Sequence, residues 1–217
     1  MMDYVLCDIG NSFLHFYHNG HIWQEKPEQY HKPINQQIFY ISVSPTNLSH
    51  FLQINPNAID LAPYFELETE YVGLGIDRLA VCCAIENGVI VDAGSAITID
   101  VMENGKHLGG YILPGFGSYI QAYSQISPAL DVMPDLSMDL HLLPQNTKSA
   151  LGWGMLRSVV GLISEVSADK PIYFLGGDGK FLSRFFQNSL YHQALLFVGM
   201  QKTLEKKGFL KECRESI

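Results

Sequence analysis

At 217 residues, 47% of them hydrophobic and 17% charged, the chain is long enough for one large domain or two of about a hundred residues each, and its composition is that of a compact globular protein. A formal net charge of −8 without any Lys/Arg cluster argues against nucleic acid as a partner, because nothing basic is present to displace condensed counterions. No apolar run reaches bilayer length and no basic leader precedes the first strand, so a cytoplasmic protein without a membrane partner is expected.

Tyr4 to Cys7 is an apolar run that reads as a buried strand, and it runs into an acidic turn, Asp8-Ile9-Gly10-Asn11-Ser12. A second strand-like run, Phe13 to Tyr17, leads to Asn19-Gly20, a dipeptide that favours a type I′ hairpin. Trp23 to Pro33 is polar and interrupted by proline, which predicts a loop. Gln37 to Val43 reads as a buried strand, Asn47 to Ile54 as a helix capped by Thr46 or Asn47, and Ala58 to Leu61 as a weak strand. Gly73-Leu74-Gly75-Ile76-Asp77-Arg78 then precedes the apolar run Leu79 to Ile85, read as a buried helix. A carboxylate and a guanidinium thus stand at a helix N-terminus, where backbone amides are free. They read either as a capping Asp with a surface Arg or as part of a substrate site.

The opening plan now repeats. Gly88 to Val91 reads as a buried strand, Asp92-Ala93-Gly94-Ser95-Ala96 as its acidic turn, Ile97 to Met102 as the next strand and Asn104-Gly105 as a hairpin turn. Two lobes of related topology are therefore expected, 1–87 and 88–217. D-x-G is a common turn signature, but matched context in both copies points to phosphate. Glycine lets the backbone approach a ligand, its amides donate to phosphate oxygens, and the preceding carboxylate holds a cation that neutralises phosphate charge. Two such turns facing each other would embrace a polyphosphate. The acidic surface would repel a free nucleotide, so cations would have to accompany it.

Past this hairpin, Leu108 to Gly115 carries Gly109-Gly110, a bulge or close-approach signal, and Pro114-Gly115 ends the strand. Phe116 to Ile126 is a predicted helix with Tyr119 and Tyr123 on a packing face, and Pro128 to Pro144 a predicted loop. Asn146 to Ala150 opens a helix running from Leu151 to Val166, whose Gly152, Gly154 and Gly161 suit a close interdomain or subunit contact. Thr147 reads as its N-cap or as a hydroxyl facing a substrate pocket. Ile172 to Leu175 reads as a buried strand, Gly176-Gly177-Asp178-Gly179 as a tight loop beside a nucleotide, and Lys180 to Phe186 as a helix. The terminal helix, Leu195 to Lys207, ends at Gly208, and Lys211 to Ile217 is a predicted solvated tail. Cys7, Cys82, Cys83 and Cys213 lack metal-site spacing and read as reduced thiols. Neither a Walker A motif nor G-x-G-x-x-G is present, which disfavours P-loop and Rossmann sites.

The ordered set Asp8-x-Gly10-Asn11-Ser12, Gly75-x-Asp77-Arg78, Asp92-x-Gly94-Ser95-Ala96-x-Thr98-x-Asp100, Gly109-Gly110-x-Ile112-x-Pro114-Gly115 and Asn146-Thr147 resembles type III pantothenate kinase. The resemblance implies an α/β, duplicated actin-like (ribonuclease-H-like, ASKHA) fold of two lobes with a central cleft, assembled as a homodimer. It implies ATP-dependent phosphorylation of pantothenate to 4′-phosphopantothenate, the first step of coenzyme A synthesis, with Mg²⁺ and a monovalent cation, K⁺ or NH₄⁺. Carried over residue by residue, the turn of Asp8, Ile9, Gly10, Asn11, Ser12, Phe13, Leu14 and His15 would cradle ATP phosphates, with Asp8 near Mg²⁺. Tyr71, Gly75, Ile76, Asp77, Arg78 and Thr147 would line the pantothenate site, with Asp77 as the base. Asp92 would hold the monovalent cation and Ser95 would touch nucleotide phosphate. Ser12 and Ser95 stand where the family often has Thr, keeping the hydroxyl, and Leu175 replaces a small or hydroxyl residue, which weakens the expected adenine contact. Competing expectations are another actin-like phosphotransferase, acting on a sugar or a polyphosphate, and a non-catalytic regulator that keeps the fold. Retention of Asp8, Asp77 and Asp92 favours catalysis.

Overall fold

The structure, a computed structural model, describes residues 3–136 and 142–210. Cys213, the expected tail from Lys211 and part of the expected loop from Pro128 to Pro144 lie outside the described residues. In chain order the elements are β1 (Tyr4–Ile9), β2 (Leu14–His18), β3 (His21–Glu25), β4 (Gln37–Ser42), α1 (Pro45–Ile54), β5 (Ile59–Asp60), β6 (Glu68–Thr69) and α2 (Ile76–Ala84). There follow β7 (Gly88–Ala93), β8 (Ala96–Glu103), β9 (Lys106–Pro114), α3 (Phe116–Ile126), α4 (Thr147–Ser167), β10 (Ile172–Leu175), α5 (Gly179–Leu182), β11 (Ser189–Tyr191) and α6 (Leu195–Lys206).

The described residues divide into two compact units. Among them, the first draws on residues 3–86, 104–107 and 194–210, the second on residues 87–103, 108–136 and 142–193. In the first unit the sheet order is β3-β2-β1-β4-β5, with β1 antiparallel to β2 and parallel to β4. In the second it is β9-β8-β7-β10-β11, with β7 antiparallel to β8 and parallel to β10, and the two-residue β6 pairs with the first residues of β9 as a sixth strand of that sheet. Substituting the strands of one copy for those of the other gives the same order, so the repeat seen in the sequence is a repeat of topology. Each hairpin turn places both residues at positive φ, Asn19 at 48° and Gly20 at 87°, Asn104 at 52° and Gly105 at 77°, as a type I′ turn requires.

Both central strands are apolar because both faces are covered. Val5, Leu6, Cys7 and Ile9 of β1 are buried, as are Val89, Ile90, Val91 and Ala93 of β7. One side of β1 packs with Phe16, Tyr30, Tyr40 and Phe51. One side of β7 packs with Ile97, Ile99, Met155, Val159 and Phe174. Tyr119 packs against this second core and reaches Ser158 Oγ at 3.4 Å, so the expected packing face of α3 lies on α4.

Several boundaries differ from the sequence expectation for local reasons. The predicted loop from Trp23 starts later, because Trp23 pairs with Phe16 in β3 and stacks on its ring at 5.1 Å. α1 begins at Pro45, whose fixed φ suits the first helical position, so the cap is Ser44 and neither Thr46 nor Asn47. α2 begins at Ile76 inside the glycine-bracketed motif. α4 is capped by Asn146, whose side chain accepts from Ser149 N–H at 2.9 Å, so Thr147 is its first residue and not its cap. The predicted helix from Lys180 to Phe186 is α5 and a following 3₁₀ turn, Ser183–Phe185. The terminal helix, which the 1–87/88–217 division assigns to the second lobe, packs on α2 in the first unit. Gly199 makes that possible: a Cβ there would run into the Ala80 carbonyl, and Lys202 Nζ donates to the Ala84 carbonyl at 2.8 Å.

Candidate active site

Because β1 and β4 are parallel, the C-terminal end of β1 lies beside the start of α1, the position at which open α/β sheets place ligands. Asp8 stands there, opposite His15 on β2, with Oδ2 3.4 Å from His15 Nδ1. Its other oxygen, Oδ1, is buried and makes no hydrogen bond. Leaving a buried acceptor unmet costs about 1–3 kcal/mol. A carboxylate oxygen in that state fits a hard cation, so the residues present suit a divalent metal.

The turn that follows is closed by Gly10 N–H donating to Phe13 O at 3.0 Å. Val43 N–H donates to Ile9 O at 3.1 Å, and Asn47 Nδ2 donates to Gly10 O at 2.8 Å and Asn11 O at 3.1 Å. Ile9 and Leu14 are buried in the core and can offer a ligand only their backbone, whereas Asn11 and Ser12 are exposed at the tip. A cavity of about 300 Å³ is lined by Asn11, Ser12, Thr46, Asn47 and His50. A second cavity of about 250 Å³, lined by Tyr64, Glu66, Cys83 and Lys206 among others, holds none of the expected site residues.

Asp77 is the second residue of α2, and Gly75 takes the cap position. Its carboxylate folds back so that Oδ1 accepts from Arg78 N–H at 2.8 Å, a place that a Cβ on Gly75 would obstruct at 2.5 Å. Burial pushes the Asp77 carboxyl above its ordinary value, and the negative charge of Asp8 adds to the shift. The Arg78 amide and guanidinium oppose it. Two carboxylates therefore influence each other electrostatically in the first unit, and the raised proton affinity of Asp77 suits a proton acceptor.

Arg78 is buried, 7% exposed, which removes its reading as a surface residue. Its Nη1 donates to Tyr71 Oη at 3.2 Å and its guanidinium carbon lies 4.8 Å from the Tyr71 ring centroid. Tyr71 is held in turn by its N–H on Thr69 Oγ1 at 3.0 Å, and that hydroxyl lies 2.8 Å from His107 Nδ1.

In the second unit Asp92 sits on β7 between Thr98 of β8 and Leu175 of β10. Its turn is closed by Gly94 N–H on Ala96 O at 2.9 Å. Ser95 is exposed, and its carbonyl accepts from Gly115 N–H at 3.1 Å and Ser118 Oγ at 3.2 Å. Asp178 N–H donates to Ala93 O at 3.0 Å. Gly176, at φ 80°, faces Asp92 so closely that a Cβ would lie 2.5 Å from Oδ1 and strike Ala93 O, and a Cβ on Gly115 would strike Gly94 O. This cradle of carboxylate and backbone oxygens fits a cation held by hard ligands. Leu175 is buried, and Thr147 is exposed at the start of α4.

The structure thus pairs Asp8 with His15, lets the charge of Asp8 act on Asp77, joins Arg78 to Tyr71, and sets Asp92 and Ser95 on one turn. Sequence reasoning missed Asn47 as a brace of the first turn and Gly115, Ser118 and Asp178 as braces of the second. The available signal was topological: a helix opening after a strand parallel to β1 must start next to the acidic turn.

A sheet of order 3-2-1-4-5 built twice, with an aspartate elbow at the same station of each copy, is the duplicated ribonuclease-H-like architecture of the actin-like class. A solved structure from Sinorhizobium meliloti, named as a 2-dehydro-3-deoxygalactonokinase, shares this fold at a TM-score of 0.55 over 94% of this chain and 99% of that one, with 8% identity. The family model of type III pantothenate kinase matches residues 20–169, and the chain belongs to that family. It is 52% identical over 204 residues to a type III pantothenate kinase of Helicobacter hepaticus, covering 94% of this chain and 99% of that protein. It is also similar to a solved structure from Campylobacter jejuni named for the Baf family of transcriptional activators, at 43% identity and a TM-score of 0.85, covering 94% and 99% of the two chains. Among the described residues, no helix is long and apolar enough to cross a membrane.

Proposed function

We propose that the chain catalyses the ATP-dependent phosphorylation of pantothenate to 4′-phosphopantothenate, the first step of coenzyme A synthesis, with Asp77 as the base. The observation that carries this reading is Asp77 itself, a half-buried carboxylate at the start of α2 whose proton affinity burial and the charge of Asp8 raise, in a member of this kinase family. Phosphoryl transfer asks a protein chiefly to position reactants and to neutralise charge. Asp77 orients the primary hydroxyl of pantothenate and accepts its proton at a carboxylate oxygen as the hydroxyl attacks the γ-phosphorus and the bond from that phosphorus to the β,γ-bridging oxygen breaks, releasing ADP. Tyr71, Gly75, Ile76, Arg78 and Thr147 line the pantothenate site, and the fixed guanidinium of Arg78 holds Tyr71 as a wall.

Asp8, with its unmet oxygen, would hold Mg²⁺, and Asp92 with the oxygens around it would hold K⁺ or NH₄⁺. Bound there, these cations supply positive charge against phosphate oxygens. The amides of Asn11 and Ser12 and the hydroxyls of Ser12 and Ser95 take the remaining phosphate contacts. The same reading includes a homodimer and a cytoplasmic location.

The name of the Campylobacter jejuni structure favours a second reading, a regulator of transcription that keeps the fold. Net charge of −8 and the retained aspartates weigh against it. Incubation of the purified protein with ATP, Mg²⁺, K⁺ and pantothenate, beside a panel of sugars, separates the possibilities by ADP release. Release with pantothenate alone is expected. Release only with a sugar identifies another phosphotransferase, and no release with any acceptor favours the regulator.

A further inference from the structure

We infer that Asn47 is a positioning residue for nucleotide binding, which aims the backbone amides of the first acidic turn. The inference rests on the proposed ATP site at that turn. Asn47 is in the first turn of α1, and the cap of that helix is Ser44, so its amide has no capping duty. Instead Nδ2 donates to two consecutive carbonyls, Gly10 O at 2.8 Å and Asn11 O at 3.1 Å. A trans peptide is planar, with its N–H pointing opposite to its C=O. Drawing the carbonyls of residues 10 and 11 toward α1 therefore turns the N–H groups of Asn11 and Ser12 to the opposite side of the turn.

Two successive amides aimed in one direction form a concave anion site. With either carbonyl released, its peptide plane can rotate and present an acceptor where a phosphate oxygen needs a donor. Gly10 is the residue least able to prevent that rotation by itself, since it lacks a Cβ. Ile9 and Leu14 anchor the ends of the turn in the core, so Asn47 sets only what lies between them.

Replacement of Asn47 by Asp keeps the size of the side chain and its place in the first helical turn, where a negative charge is favourable, while exchanging both donors for acceptors. Calorimetric titration with Mg·ATP, steady-state kinetics in both substrates and thermal unfolding of wild type, Asn47→Asp and Asn47→Ala provide the test. Loss of two hydrogen bonds predicts an increase in the Mg·ATP Kd of about tenfold or more in Asn47→Asp, with a smaller rise in Asn47→Ala. The KM for pantothenate stays within about twofold and Tm moves little, because both ends of the turn remain anchored. Unchanged Mg·ATP affinity in both variants overturns the inference, as does a rise in both KM values that tracks a fall in Tm. Failure of the wild type to bind Mg·ATP instead overturns the proposed function, and this inference with it.

Discussion

Four residues, Gly10 to Phe13, separate the paired positions Ile9 and Leu14 in the first unit, whereas three, Gly94 to Ala96, separate Ala93 and Ile97 in the second. The longer turn is tied by a side chain reaching from α1 and stands beside a carboxylate oxygen that no group among the described residues satisfies. The shorter one is walled by backbone, with Gly115 and Gly176 letting the chain pass against its carbonyls and against Asp92. A shared D-x-G motif therefore specifies a turn, and its surroundings specify its task. An unmet oxygen within electrostatic reach of a second, half-buried carboxylate suits reacting groups, while a glycine-walled cradle suits an ion that stays in place.

The largest effect expected from breaking this contrast is on the first turn. Asp8→Asn is predicted to lower kcat by about 10²-fold or more, the scale of removing one electrostatic stabiliser of a transferring group. Because the charge of Asp8 helps to raise the proton affinity of Asp77, the residual activity should also persist to lower pH than in wild type. A pH–rate profile of both proteins checks the two statements, and an acid limb that moves to higher pH contradicts the second.

The second turn should respond in stability. Gly176→Ala and Gly115→Ala each force a Cβ onto backbone carbonyls, and overpacking of this kind costs about 1–3 kcal/mol. Gly94→Ala, whose nearest neighbour would be 3.9 Å away, should cost much less. Denaturant unfolding of the three variants ranks them, and equal losses would remove the distinction between a walled and an open position. At the start of α4, Asn146→Ala should lose about 1 kcal/mol as a helix cap. Thr147→Ala should leave stability nearly unchanged and raise the KM for pantothenate.

The smallest effect lies away from both turns. Glu66 is hydrogen-bonded to Lys206 at 2.7 Å and to Lys207, and these two lysines bring its carboxyl from its ordinary 4.5 down to about 2. A depressed folded-state value contributes stability that is present above the unfolded value and is lost as pH falls toward 2. Glu66→Gln should flatten that part of the acid-unfolding curve slightly, and because the carboxylate is exposed, high salt should erase the difference.

Much of this was legible in the sequence because it rests on local rules. The two Asn-Gly hairpins, the apolar central strands and the bounds of α3 and α6 follow from turn chemistry and periodicity. The local geometry around Asp8, Asp77 and Asp92 was legible because each belongs to its own short motif. It was not legible where a role comes from tertiary approach. Asn47 reads as a cap from its neighbours, and only the parallel pairing of β1 with β4 brings it to the turn. Trp23 reads as a loop residue until the hairpin register stacks it on Phe16, and β6 and β11, of two and three residues, are too short for a periodic signal. Likewise Arg78 reads as a surface charge until Tyr71 covers it.

The role of Asp77 is tested most directly by following 4′-phosphopantothenate formation by the Asp77→Asn enzyme at saturating Mg·ATP and pantothenate. A fall in kcat of about 10²-fold or more, with the Mg·ATP KM near the wild-type value and the fold intact, is the predicted result. Nearly full kcat with both KM values unchanged would contradict it.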